Sequence, residues 1–126
     1  GAQVMGLRLK IKGDRPPDVQ VIGCQNDTMA MGARKAVEAL PPGPIRDQWL
    51  KVAFTGCDGL PATGQKWVQR GLLAATIIAP PLAGLAIEQV VKALTSGRPM
   101  PEHTLARPTS YPAIGSVGKP AIGARG

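Results

Sequence analysis

This sequence has few aromatic side chains. Its cysteine and histidine residues do not follow the patterns of reactive sites or metal sites. Only 3% of its 126 residues are aromatic, so Val, Ile, Leu, Met and Ala must fill the core, and no large aromatic platform is available for a ligand. Cys24 and Cys57 are 33 positions apart, which matches no metal or redox spacing. There is one histidine, His103, and no glycine-rich phosphate loop or pair of catalytic carboxylates. The sequence therefore indicates neither an enzyme nor a bound cofactor or metal.

Long apolar runs are absent as well. The longest, residues 72–87, is interrupted by Pro80, Pro81 and Gly84, so no segment has the length needed to span a bilayer. No secretory leader is recognisable after Gly1. An exported parent protein would carry that leader upstream or would have lost it.

Acidic residues are few, with 8 Asp and Glu against 15 Lys and Arg and a formal net charge of +7. A basic balance is typical of proteins that bind nucleic acid. Here the basic residues are scattered, their densest patch is Arg8, Lys10, Lys12 and Arg15, and no nucleic-acid-binding motif accompanies them. This pattern favours a solvated basic surface without direct contact to nucleic acid.

Strand-like and helix-like stretches alternate along most of the chain. Residues 1–12 fit a strand and the end of a helix equally well. The strands predicted after them are residues 19–24, 50–55 and 74–78, and the predicted helices are residues 28–40, 61–70 and 82–94. Gly97 is expected just past the last helix. This order predicts an α/β fold, an open parallel sheet with flanking helices and right-handed crossovers.

The composition changes after Pro99, where Pro, Gly, Ser and Ala dominate. The segment Pro-Ala-Ile-Gly occurs twice there, at residues 112–115 and 120–123. Such a segment buries little apolar surface. We therefore assign residues 1–107 to the folded unit and expect residues 108–126 to form an extended or disordered tail.

Polar side chains follow two of the predicted strands. Asn26 and Asp27 come after the first strand, and Cys57 and Asp58 come after the second. The carboxyl ends of parallel strands meet at one edge of the sheet, where ligands bind, so Asn26 and Asp58 are candidate binding residues. An amide offers donors and acceptors, and a carboxylate can accept bonds from two neighbouring hydroxyl groups. That combination suits a ligand with hydroxyl groups on neighbouring atoms.

Each candidate also has a purely structural explanation. Capping of the next helix is favoured for Asp27, and for Asn26 it is as good an explanation as ligand binding. Asp58, which precedes Gly59, is equally compatible with shaping a turn. Cys24 and Cys57 are expected to be small buried hydrophobic residues, with a disulfide between them the less favoured alternative.

Three ordered segments resemble the type I periplasmic binding proteins, especially those that feed sugar ABC transporters. Residues 26–32 read Asn-Asp-Thr-Met-Ala-Met-Gly, like the family's Asn-Asp-x-Met-Ala-apolar-Gly. Residues 56–59, Gly-Cys-Asp-Gly, are similar to its Gly-Phe-Asp-Gly turn, and residues 71–77, Gly-Leu-Leu-Ala-Ala-Thr-Ile, are similar to its Gly-x-Leu-x-Ala-Thr-apolar segment. The similarity covers residues 17–107.

The resemblance implies the carboxy-terminal part of a two-lobed periplasmic protein that closes over a monosaccharide or a related small polar ligand and passes it to a membrane permease. Family positions that touch ligand correspond to Asn26 and Asp58 here, and Cys57, which directly precedes Asp58, is a third candidate for ligand binding. Cys57 stands where the family usually has an aromatic residue, and Ala79 stands where it often has glutamine. These two departures imply an unusual ligand or weak binding.

The effector-binding cores of lactose-repressor-type regulators resemble this chain too and are the alternative. They share the Asn-Asp motif but commonly carry Gly-Phe-Asp-Asp and then Pro-Leu-Thr-Thr-Val. Residues 57–59, Cys-Asp-Gly, and residues 73–76, Leu-Ala-Ala-Thr, favour the transport proteins.

The resemblance also implies that an amino-terminal lobe and the opening strands of the second lobe precede these residues. The helix of residues 82–94 normally packs on that missing lobe, so it would expose a face containing Leu85, Val90 and Ala93. We expect this face to cause self-association, to fold back onto the sheet or to bind another chain. We also expect the chain alone to bind sugar weakly or undetectably.

Overall fold

The structure of the chain, a computed structural model, describes residues 1–12 and 15–116. Its helices are α1 (Ala2–Lys12), α2 (Asp27–Glu38), α3 (Pro44–Leu50), α4 (Lys66–Gln69) and α5 (Leu82–Ser96), and its strands are β1 (Val21–Gly23), β2 (Ala53–Asp58), β3 (Ala75–Ile78) and β4 (Thr109–Tyr111). A π-helical turn, Pro61–Gln65, runs directly into α4, and a 3₁₀ turn covers Ile114–Ser116. The alternation of strands and helices confirms the predicted α/β fold.

The four strands form one open sheet in the order β1-β2-β3-β4. β1 pairs in parallel with β2, with Ile22 opposite Phe54, and β2 pairs in parallel with β3, with Gly56 opposite Thr76. β4 adds an antiparallel edge strand to β3. The sheet is therefore parallel over the three strands predicted from the sequence, and their carboxyl ends share one edge.

The core lies between one face of this sheet and a layer of helices. α2 contacts α1, α3, the π-helical turn and β2, and it buries Ala30, Ala33 and Val37 along one side. Along β2, buried Phe54 and Gly56 alternate with half-buried Ala53, Thr55 and Cys57, as expected for a strand whose two faces differ in burial. The buried hydrophobic residues are Met5, Leu9, Ala30, Ala33, Val37, Trp49, Val52, Phe54 and Leu73.

Two elements differ from the sequence-based expectation. The strand predicted to begin at residue 50 begins at Ala53, because Leu50 belongs to α3. That helix has Pro44 in its first turn, a favourable position for proline, and it buries Trp49 completely. The indole Nε1 of Trp49 donates a hydrogen bond to the Arg15 carbonyl at 3.1 Å. The ambiguous residues 1–12 are helical.

The segment after Pro99 contributes to the sheet. β4 pairs with β3, placing Tyr111 opposite Thr76, and the Tyr111 hydroxyl accepts a hydrogen bond from Gln69 Nε2 at 2.8 Å. This strand was not predicted, because the composition of the segment is typical of loops. The second Pro-Ala-Ile-Gly segment, residues 120–123, lies outside the described residues.

α5 ends at Gly97, whose φ of 65° is left-handed as predicted for the residue after a helix. No residue of α5 is buried. Leu85, Gln89 and Ala93 are half-buried along one side. The exposed side carries Ile87, Val90, Val91 and Leu94, the last of them 80% exposed. The apolar surface predicted for this helix is therefore present, but it is centred on these residues rather than on Leu85 and Ala93.

Within the described ranges, no helix combines the length and the apolar character needed to cross a bilayer.

Candidate functional site

Asn26 is the N-cap of α2. Its backbone is extended, with φ of −147° and ψ of 167°, and its side-chain Oδ1 accepts a hydrogen bond from the Met29 backbone N–H at 2.7 Å. This bond uses the amide oxygen and fixes the orientation of the amide group. The Nδ2 group makes no hydrogen bond to the described part of the chain, so its N–H groups remain available as donors. Capping and ligand binding are thus compatible for Asn26.

Asp27 does not cap the helix, contrary to the expectation from its sequence position. Its side chain is only 2% exposed, and it accepts two hydrogen bonds from distant parts of the chain. Oδ2 accepts from the Gly59 backbone N–H at 2.9 Å, and Oδ1 accepts from the Thr76 hydroxyl at 2.6 Å. Asn26 already occupies the capping position. The Asp27 carboxylate instead joins the loop after β1 to the turn after β2 and to strand β3.

Two glycines leave the room that this carboxylate occupies. A Cβ added to Gly56 would lie 2.7 Å from the Asp27 Cα, and one added to Gly64 would lie 2.6 Å from the Asp27 Cγ. Both distances are far below normal carbon contacts. The two glycines are therefore required by the close approach of Asp27 to β2 and to the π-helical turn.

The turn after β2 has an unusual backbone. Asp58 has φ of 101° and Gly59 has φ of 62°, and a residue with a side chain pays about 1–3 kcal/mol for such a conformation. Three hydrogen bonds hold the turn in place. Besides the Asp27 bond, the Ala79 N–H donates to the Asp58 carbonyl at 3.3 Å, and Gln65 Nε2 donates to the Gly59 carbonyl at 2.7 Å.

Asn26 and Asp58 lie at the same edge of the sheet. The Gly59 N–H donates a 2.9 Å hydrogen bond to the Asp27 carboxylate. Asn26 directly precedes Asp27 and Asp58 directly precedes Gly59, so each candidate is next in sequence to one partner of this bond. Asp58 is exposed and Asn26 is half-buried. The Asp58 carboxylate forms no hydrogen bond or ion pair with the described residues. The edge therefore carries an exposed carboxylate and a half-buried amide whose oxygen is bonded to the Met29 N–H.

Cys57, the third candidate, is half-buried near the end of β2. Cys24 follows β1, and both cysteines are free. The parallel register explains why they do not form a disulfide. Gly23 lies opposite Thr55, and the Cys24 N–H bonds to the Thr55 carbonyl, so Cys24 is level with Gly56 and projects from the face opposite to that of Cys57. Burial raises the pKa of the Cys24 thiol, and the positive amino terminus opposes that shift to a smaller degree.

In the described part of the chain, the one histidine takes no part in the contacts given above. His103 is exposed and lies 4.0 Å from the Glu102 carboxylate, its neighbour in sequence. Among the described residues, no group of three or more His, Cys, Asp and Glu side chains is arranged to hold a metal ion. A groove of about 410 Å³ lies between α1 and the outer edge of β1; it reaches Cys24 and Gln25 but is lined mainly by apolar residues such as Val4, Val21 and Met29.

The contacts that support this site could not be predicted from the sequence. The partners of Asp27 are 32 and 49 positions away along the chain, so no local pattern reveals them. One signal was available: Thr76 is the only polar residue of β3 and is 1% exposed. A hydroxyl buried in an otherwise apolar strand needs a hydrogen-bond partner.

Several proteins of known function or structure are similar to this chain. The D-allose-binding periplasmic protein of Escherichia coli (strain K12) is 36% identical over 90 residues, which are 69% of this chain and 26% of that protein. No family model matches the sequence.

Solved structures show the same fold. The Caulobacter myo-inositol binding protein, bound to myo-inositol, superposes with a TM-score of 0.67 at 31% identity, covering 92% of this chain and 36% of that one. An ABC transporter periplasmic solute binding protein from Actinobacillus succinogenes, with bound D-allose, gives a TM-score of 0.66 at 27% identity, covering 86% and 35%. The chain thus spans about a quarter of the curated relative and about a third of the solved chains.

Proposed function

This chain belongs to the type I periplasmic binding proteins, part of whose length it spans, and we propose that it forms one wall of the sugar-binding cleft of an ABC-transporter solute-binding protein. Its relatives are described as binding D-allose and myo-inositol. Capture of the ligand is reversible and non-covalent. The proposal places the protein in the periplasm, with a membrane permease as its partner.

The observation that supports this proposal is the position of Asn26 and Asp58, each next in sequence to one partner of the hydrogen bond between Asp27 and Gly59 at one edge of the sheet. The Oδ1 atom of Asn26 is occupied by the Met29 N–H, so the amide offers donors to a ligand. The carboxylate offers only acceptors at this edge. A sugar hydroxyl accepts one hydrogen bond and donates another, so neighbouring hydroxyls of a ring match this pair, and the bonds to the carboxylate are the stronger ones.

Cys57 and Ala79 modify the same wall. Cys57 supplies a small polarizable side chain where an aromatic ring would provide a stacking surface. Ala79 offers the ligand no side-chain hydrogen bond, and its backbone N–H is already bonded to Asp58. With fewer contacts from these two positions, affinity depends mainly on Asn26 and Asp58. Solute-binding proteins of transport systems, rather than repressors, are the similar proteins described above, which supports the transport function.

Chemical-shift mapping tests the proposal because it detects millimolar binding. The ¹⁵N-labelled chain is titrated with D-allose and with myo-inositol. We expect saturable shifts centred on Asn26, Cys57, Asp58 and Gly59, because these residues line the shared edge. Asp58→Ala should weaken binding about 10- to 100-fold, the usual effect of removing a hydrogen bond to a charged group.

The matched control is Asn26→Ser. Serine retains the helix cap, so the fold is preserved while the amide donors are removed, and the affinity should fall without a loss of stability. If neither compound causes shifts at these residues, or if Asp58→Ala binds as tightly as the original chain, this wall does not bind sugars.

A further inference from the structure

Hydrogen bonds engage three backbone groups of the turn formed by Asp58 and Gly59. The Asp58 carbonyl accepts from Ala79, the Gly59 N–H donates to Asp27, and the Gly59 carbonyl accepts from Gln65 Nε2. Two of these three bonds come from side chains. The Asp58 side chain forms no hydrogen bond or ion pair with residues 1–12 and 15–116, so its direction depends on the peptide that carries it.

Asp27 is the partner that links this peptide to the rest of the site. It follows Asn26 in sequence and is the first residue of α2, and its carboxylate reaches across to Gly59. Its second oxygen is held by the Thr76 hydroxyl in β3, so the carboxylate cannot rotate without breaking a buried bond. Gly56 and Gly64 close around it. The orientation of Asp27 is therefore fixed from several directions.

We propose that Asp27 is a positioning residue: its buried carboxylate holds the Asp58–Gly59 turn in its left-handed conformation and thereby directs the Asp58 carboxylate toward the ligand beside Asn26. The effect on ligand binding rests on the proposed sugar-binding function. The effect on the turn does not. Without Asp27, the φ of 101° at Asp58 loses the bond that stabilises it, and the turn relaxes toward conformations that L-residues prefer.

Hydrogen exchange tests the effect on the turn. In the unmodified chain, the Gly59 amide should be protected like the amides of β2. In Asp27→Ala, we expect Gly59 to exchange about 10- to 100-fold faster, the change produced by losing one charge-assisted hydrogen bond. The Phe54 amide, in the middle of β2, should change far less.

Asp27→Asn provides the conservative control. Its single oxygen can accept from Gly59, while its NH₂ group can donate to the Thr76 hydroxyl, which also accepts hydrogen bonds. We therefore expect Asp27→Asn to restore Gly59 protection and most of the sugar affinity. A residue with a merely general effect on stability would change exchange at Phe54 and Gly59 together.

The two proposals fail in distinguishable ways. If D-allose and myo-inositol do not bind the unmodified chain while Gly59 behaves as described, the sugar-binding function is wrong and the positioning of the turn stands. If Gly59 exchanges in the unmodified chain as fast as an exposed loop amide, Asp27 does not hold the turn. Equal affinity of Asp27→Ala and the unmodified chain would also overturn the positioning role. Hydrogen exchange at Gly59 in the unmodified chain needs no variant, so failure of Asp27→Ala to fold does not prevent a decision on the positioning role.

Discussion

Replacing Thr76 by valine removes one hydrogen-bond donor from a buried carboxylate while keeping nearly the same shape. Thr76 is 1% exposed, and its hydroxyl donates to Asp27 Oδ1 at 2.6 Å. In Thr76→Val, that oxygen stays buried beside a methyl group. Hydrogen bonds to charged groups contribute about 1.5–3 kcal/mol, and a buried polar atom left without a partner is destabilising by a similar amount.

We therefore expect Thr76→Val to lower the free energy of unfolding by about 2 kcal/mol. Urea unfolding followed by tryptophan fluorescence measures this change, since Trp49 is fully buried in the folded chain. The denaturant slope should stay constant, because the surface exposed on unfolding is nearly unchanged. For a chain of this size the midpoint of thermal unfolding should fall by about 4–10 °C.

Thr76→Ser is the matched control, because it keeps the hydroxyl and removes one buried methyl group, with an expected loss of about 1 kcal/mol. In an Asp27→Asn background, valine at position 76 should be less harmful, since only a bond between neutral groups is lost. A valine variant within about 0.5 kcal/mol of the original chain, or one more stable than the serine variant, would refute the importance of this bond.

Three further outcomes follow from the fold. Gly64→Ala should destabilise the chain by about 1–3 kcal/mol, because the new Cβ would lie 2.6 Å from Asp27 Cγ. Its control is Gly84→Ala, in open space on α5, which should be neutral or slightly stabilising in the same unfolding assay. Burial raises the pKa of Cys24, so a smaller fraction of this thiol is thiolate near neutral pH than in an ordinary cysteine. Its alkylation, measured by mass spectrometry, should therefore be slow in the folded chain and should accelerate with rising pH. Equal alkylation rates in the folded and the urea-unfolded chain would contradict this. Sedimentation velocity should show association that increases with concentration and weakens in Ile87→Asp, since α5 exposes an apolar side; a monomer at every concentration would rule this out.

Local patterns were enough to predict the architecture. The apolar stretch around Ile22, the polar group at Asn26 and the small residues of α2 each carry their signal within a few positions. The same holds for Gly97, whose left-handed backbone follows from its place after α5. The parallel order of β1, β2 and β3 follows from the alternation of strands with helices.

Features that depend on distant contacts could not be predicted in this way. Asp27 looked like a cap because acidic residues are favoured at helix starts, and only the fold brings Gly59 and Thr76 to it. α3 was missed because it is only seven residues long, its middle is polar, and its last residue, Leu50, was grouped with the apolar residues of β2. β4 has loop-like composition, and pairing with β3 decides its conformation. Which atom of the Asn26 amide the helix uses could likewise be learned only from the structure.

The alternation of β2 places a supporting residue, Gly56, next to a candidate ligand-facing residue, Cys57. Gly56 adjoins Asp27 and tolerates no side chain, whereas Cys57 projects from the other face of the strand, away from that carboxylate. Ala79 gives the turn only its backbone N–H, which every residue except proline provides. On the proposed function, substitutions at Cys57 and Ala79 adapt this wall to differently shaped solutes while the scaffold beneath it stays intact.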